Sequence, residues 1–273
     1  MIPYLHLGPI TLPTFGLMVA TGLFVASYIL QTDFRRRGIT ADAFLIIGIA
    51  GLAGIVGARL YHLLESPSDF ISNPWPQLIS RFGFAWFGGF IGGFAALLIL
   101  SRREKIPTLT FLDACSPAAC VGYAVGRIGC LLSGDGDYGI PTRLPWGMSF
   151  PDGVVPTTET CVQQGWPANC RVHPTPLYEF FIWIFIAYVL WRLAAPLLQR
   201  KNSAGAVFSA YLILTGIARF LIEMIRLNPR SFFGMSNAQA ASLASILLGI
   251  IVFFFSRKSL PASPRAAVKQ TRT

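Results

Sequence analysis

Arg59, His62, Arg127, Glu179, Arg219, Glu223 and Arg226 stand in long apolar runs or at their ends. Charge in such a place is costly and marks a candidate site. Arg219, Glu223 and Arg226 follow i, i+4, i+7 spacing and share one helix face, while Arg59 and His62, three apart, share a face of another. A lone Arg219–Glu223 pair is explained by helix stabilisation, and a lone Arg59 by a side chain reaching for the interface. Arginines from several runs at one depth point instead to a polar chamber that also holds carboxylates. Guanidinium forks match phosphate oxygens in pairs, so the expected ligand is a phosphate, and at that depth a phospholipid head group. The five cysteines form no C-x-x-C pair, so no metal is expected, and no cofactor either.

The elements that must position these residues are membrane-spanning helices. Hydrophobic residues make up 53% of the 273 and charged residues 12%, about half the usual share of a soluble protein. The mean hydropathy is +0.57. The net charge of +10 lies in short clusters between apolar runs, not in an aromatic-interleaved patch, so nucleic acid is not an expected partner. The expected fold is an all-α integral membrane protein with about seven transmembrane helices and an irregular extracytoplasmic head loop. The spans fall at roughly 13–32, 43–64, 83–101, 108–127, 176–197, 205–225 and 237–256, each near the ~20 residues a bilayer requires. The first span lacks a basic leader, so no cleavable signal is expected.

Orientation follows from Lys and Arg. The first is Arg35, and the clusters Arg35–Arg37, Arg102–Lys105, Arg200–Lys201 and Arg257–Arg272 fall on alternate connections. Positive residues stay inside, so the N-terminus is expected outside the cytoplasm and the C-terminus within it. The membrane domain is then 1–256, including an extracytoplasmic loop at 128–175, and 257–273 is a basic, disordered cytoplasmic tail. Cys161 and Cys170 share that loop, where a disulfide is plausible.

The densest local signal is Gly126-Arg127-Ile128-Gly129-Cys130-Leu131-Leu132-Ser133-Gly134-Asp135-Gly136-Asp137-Tyr138-Gly139. Glycines at that density permit close backbone approach to a ligand. The segment resembles the signature G-R-x-G-N-F-x-N-x-E-x-x-G of the prolipoprotein diacylglyceryl transferase family. Further similarities follow in the family's order: Gly57-Ala58-Arg59-Leu60-Tyr61-His62, Leu144-Pro145-Trp146-Gly147, His173-Pro174-Thr175-Pro176-Leu177-Tyr178-Glu179, Arg219-Phe220-Leu221-Ile222-Glu223 and Gln239-Ala240-Ala241-Ser242.

The resemblance implies transfer of the diacylglyceryl group of phosphatidylglycerol to the lipobox cysteine thiol of a prolipoprotein, in the bacterial cytoplasmic (inner) membrane. The implied partners are phosphatidylglycerol, prolipoprotein signal peptides and membrane lipid. It also implies roles. Arg127 and Arg219 contact the phosphate, and Glu223 orients Arg219. Asp135 or Asp137 binds glycerol hydroxyls or positions Arg127. Arg59, Gly129, Gly134, His173, Tyr178, Glu179, Gln239 and Ser242 line the substrate site.

The sequence departs from that pattern at a catalytic place. The family's His-Gly-Gly, whose His is a favoured base, reads Phe87-Gly88-Gly89 here, and the signature asparagines read Cys130 and Ser133. His62, after Tyr61, is the candidate substitute base. Cys130 is read as packing rather than as a nucleophile, and His6 has no supporting context. Two competing readings remain: a diverged phospholipid-binding relative with another acceptor or none, and a transporter. Charges gathered at one depth, with no visible inverted repeat, disfavour the second.

Overall fold

The computed structural model describes residues 1–65, 67–72, 74–75, 85–197, 204–231 and 233–258. In chain order the elements are β1 (Tyr4–Leu7), β2 (Ile10–Pro13), α1 (Thr14–Arg37), α2 (Ala43–Glu65), α3 (Pro67–Ser72), α4 (Trp86–Arg103), α5 (Thr108–Ser133), β3 (Pro141–Thr142), α6 (Thr157–Gln163), β4 (Arg171–Val172), α7 (Thr175–Leu197), α8 (Ala206–Glu223) and α9 (Asn237–Lys258). Among the described residues six helices, α1, α2, α5, α7, α8 and α9, are long and apolar enough to cross a membrane. The protein is therefore an all-α integral membrane protein; six of the seven expected spans satisfy these criteria, so the count of seven is not reached. The 18-residue α4, which carries Arg102 and Arg103 in its last turn, is not among the six. The tail beyond Lys258 lies outside the described residues, as do Arg200 and Lys201.

Local chemistry sets the helix ends. Gly38, at φ 69°, stops α1 in the left-handed conformation directly after Arg35, Arg36 and Arg37, whose charges suit a helix C-terminus. Asp42 accepts from the amides of Phe44 and Leu45 at 2.8 and 3.2 Å to open α2. Ser236 and Gln239 form a reciprocal capping box on α9, at 3.2 and 3.1 Å. The buried Asp113 of α5 caps a different helix. Its two carboxylate oxygens accept from the amides of Gly205 and Phe208, at 2.8 and 2.7 Å, at the start of α8.

Helix α5 is the hub, packing on α1, α7 and α8, while α2 pairs with α4 and α8 with α9. Small residues let these backbones approach, as is usual in lipid. A Cβ on Gly22 would sit 2.9 Å from the Gly122 carbonyl oxygen, and one on Gly129 would sit 2.9 Å from Met18 Cβ. Large apolar side chains such as Phe24, Leu52, Phe185 and Phe254 point outward. That is the inside-out pattern a lipid surface imposes.

The connection between α5 and α7 begins later than expected. α5 runs on to Ser133, so Gly129, Cys130 and Ser133 belong to a helix and not to a loop. The remainder is an organised head with its own core of Tyr138, Phe150, Cys161, Cys170 and Val172. Within it β3 pairs antiparallel with β4, and Cys161 on α6 is bridged to Cys170 with a Cα–Cα separation of 5.9 Å. The N-terminal hairpin β1–β2, with His6 opposite Thr11, was not expected from the sequence either.

Candidate functional site

Three elements converge where α5 ends, α7 begins and α8 ends. Glu179, in the first turns of α7, is fully buried. Its Oε1 accepts from Arg219 Nη1 at 3.0 Å and from the Tyr123 hydroxyl at 2.9 Å. Its Oε2 lies 3.1 Å from Arg127 Nε and 3.6 Å from Arg226 Nη1. Arg219 Nη2 pairs with Glu223 Oε2 at 2.9 Å, and Asn228 donates to Glu223 Oε1 at 2.5 Å. Asp137, from the head, closes the network by pairing with both Arg127 and Arg226.

The head reaches that position through its backbone. Ile140 N donates to Ile225 O at 2.8 Å, and Gly139 bridges to Arg226. Gly139 allows this approach, since a Cβ there would lie 2.5 Å from the Ile225 carbonyl oxygen.

The resulting cluster sets the guanidiniums of Arg127, Arg219 and Arg226 against the carboxylates of Asp137, Glu179 and Glu223, and is neutral in sum. Such a buried array is held by mutual pairing, and removing one partner leaves a costly orphan charge. The pairing is not saturated. Arg226 Nη1 and Nε, at 3.6 and 3.8 Å from carboxylate oxygens, make no hydrogen bond. Arg219 and Arg127 are the more open guanidiniums, with side chains 21% and 14% exposed against 6% for Arg226.

The two head aspartates differ. Burial pushes the Asp137 carboxyl up, but Arg127 and Arg226 outweigh it and hold the group below the usual carboxylate range. Asp135 accepts the Asp137 amide at 3.2 Å. Burial and then the Asp137 charge hold its carboxyl above that range.

Arg127, Arg219, Glu223, Glu179 and Asp137 are thus brought together, and Asp135 lies beside them. The other expected site residues are elsewhere or differently engaged. Arg59 is buried on α2 and His62 half-buried one turn on, and neither belongs to these ion pairs. Tyr178 accepts from Trp146 Nε1 at 2.8 Å and meets His173 Nδ1 at 3.2 Å, a chain on the head side. Burial pulls the His173 imidazole down from its ordinary value. Gln239 is spent on the α9 cap and on Arg230, at 2.9 Å, and Ser242 bonds to Ala238 O within its own helix. Gly129 faces Phe15 and Met18, and Gly134 ends α5 at φ 61° against Gly153, so their close approaches are to protein.

Tyr123 and Asn228 belong to the cluster without having been expected. Tyr123 was findable, since it stands four residues before Arg127 on the same helix face. It donates to Glu179, accepts from Arg127 Nη2 at 2.6 Å and packs on Trp183. Asn228 follows the end of α8, and no pattern marks it.

A family model described as prolipoprotein diacylglyceryl transferase matches residues 3–255. A Clostridium tetani protein named phosphatidylglycerol–prolipoprotein diacylglyceryl transferase is 30% identical over 246 residues, covering 89% of this chain and 92% of that protein. Proteins of the same name from Bifidobacterium longum subsp. infantis and Leifsonia xyli subsp. xyli are each 32% identical. The matches cover 91% and 92% of this chain, and 81% and 75% of theirs.

Proposed function

The chain belongs to the prolipoprotein diacylglyceryl transferase family, and from that premise we propose that it transfers the diacylglyceryl group of phosphatidylglycerol to the lipobox cysteine thiol of prolipoproteins. The products are a thioether and glycerol phosphate. The observation that carries the residue-level reading is the convergence of Arg127, Arg219 and Arg226 on Glu179 at one end of the helices.

The bond to break joins a glyceryl carbon to a phosphate oxygen. As it breaks, negative charge grows on the phosphate, and donors already fixed around that point stabilise it without reorganising. Arg127 and Arg219, the more open guanidiniums, take the phosphate. Arg226 sits deeper and fixes Asp137 and Glu179 relative to them. Glu179 and Glu223 keep the arginines from splaying apart by mutual repulsion. Because the cluster is neutral when empty, the incoming phosphate is met by directed hydrogen bonds more than by net positive charge.

The site faces the outer leaflet of the cytoplasmic membrane, with the N-terminus outside and the C-terminus inside. Two features support this orientation. A Cys161–Cys170 bridge persists in an oxidising compartment. Arg35, Arg36 and Arg37 end α1 at the opposite end of the bundle, where Phe34 packs on Phe111 of the start of α5.

The test is reconstitution of the purified protein with phosphatidylglycerol and a lipobox peptide. The reading expects a thioether-linked diacylglyceryl peptide, and no product from a peptide whose cysteine is replaced by serine. A peptide of unchanged mass contradicts it.

A further inference from the structure

Attack on the glyceryl carbon requires a thiolate, so a group near the phosphate arginines must take the thiol proton. Phe87 stands where the family resemblance leads one to expect a histidine. The carboxylates of the cluster are already engaged by its arginines: Glu179 by Arg127, Arg219 and Arg226, Glu223 by Arg219 and Arg226, and Asp137 by Arg127 and Arg226. His62 is on α2, which packs chiefly on α4 and makes none of the cluster's ion pairs.

Asp135 is different. It makes no ion pair among the described residues, and one carboxylate oxygen is fixed by the Asp137 amide at 3.2 Å. Its carboxylate, the Asp137 carboxylate and Cys130 Sγ lie within 4.8 Å of one another, and Asp137 is itself paired to Arg127. A sulfur atom of the protein thus already sits beside this carboxylate, next to the arginine that takes the phosphate.

We propose that Asp135 is the general base that takes the proton of the acceptor cysteine; this rests on the transfer reaction above. The S–H bond breaks with its proton passing to the Asp135 carboxylate, which the Cys130 thiol also faces, and a sulfur electron pair forms the S–C bond to the glyceryl carbon. The C–O bond breaks with its electrons on the phosphate oxygen, held by Arg127 and Arg219. The proton then leaves Asp135 for that oxygen or for water, and no other reactant is consumed. Asp137 and Tyr138 from the head, and Arg127 and Cys130 from α5, are the titratable groups facing Asp135. Burial and the Asp137 charge outweigh the hydrogen bonds from Cys130 and the Asp137 amide and the pull of Arg127, and hold the carboxyl above the ordinary carboxylate range, which brings it nearer to a working base.

The experiment measures kcat/KM for thioether formation by the full-length protein in phosphatidylglycerol vesicles, from about pH 5 to 9, where a carboxylate, a histidine and a thiol titrate in turn. The wild type should lose activity as pH falls through a pKa above the usual carboxylate range. Asp135→Asn, nearly isosteric and able to keep the amide contact, should fall about 10²–10⁴-fold near neutrality. It should lose that acid limb and recover as pH approaches the thiol's own pKa of about 8.5. Asp135→Glu should restore part of the rate with the limb present. Near-wild-type turnover by Asp135→Asn overturns the assignment. So does a loss equal at every pH, or an acid limb removed by His62→Ala instead. A wild type that forms no thioether removes the transfer reading, and this assignment with it.

Discussion

Glu179 carries the heaviest burden of any single side chain, because Arg127, Arg219 and Arg226 all meet its two oxygens. Truncating it strands buried guanidiniums. Glu179→Ala should lower stability by about 3–5 kcal/mol, read as a fall in the thermal midpoint in detergent. Arg219→Ala leaves Glu223 with Asn228 and Arg226, so its effect falls mainly on turnover. A loss of about 10²–10³-fold is expected, as for removal of one fixed transition-state donor, while His6→Ala should stay near wild type. Equal effects of these two changes in a steady-state assay would contradict the phosphate role. At this scale the sequence was partly legible. Arg127, Arg219 and Glu223 stood out because charge inside an apolar run is costly. The central place of Glu179 and the contrast between Asp135 and Asp137 were not, since both depend on how the head folds back onto the end of α8.

At the scale of elements, the helix starts were legible to within about three residues because a bilayer demands long apolar runs, although α1 runs on to Arg37, past its expected end at 32. The end of α5 was not. Its glycines read as a loop, but Gly129 is needed where α5 crosses Phe15 and Met18, and a larger residue has no room there. Gly129→Leu should therefore force α1 and α5 apart and lower the thermal midpoint, whereas the same change at Gly48, with nothing within 4 Å, should be tolerated. Asp113 makes a second test. Asp113→Ala removes the cap that α5 provides to α8 and should cost about 0.5–2 kcal/mol, measured by thermal or denaturant unfolding. Neither the cap nor the β1–β2 hairpin was read from the sequence, since one spans 92 positions and the other is two four-residue strands about Gly8-Pro9, a turn signal that lies just ahead of the dominant apolar run of α1.

Across the whole molecule, the arrangement is a set of lipid-facing helices with one polar chamber at the end that the head covers. The proposed orientation makes an accessibility prediction. A cysteine placed at the exposed Val154 of the head should react with a membrane-impermeant thiol reagent in intact cells exposing the cytoplasmic membrane. One placed at Arg102 should react only after lysis, and the reverse pattern would invert the topology. The native free thiols at Cys115, Cys120 and Cys130 are buried and give a low background. The central claim is that the head-group phosphate is held by the cluster gathered around Glu179. The most direct measurement is a structure with phosphatidylglycerol bound. The account predicts the phosphate within hydrogen-bonding distance of Arg127 and Arg219, with Glu179 still buried between them; a phosphate seated instead beside Arg59 and His62 on α2 would contradict it.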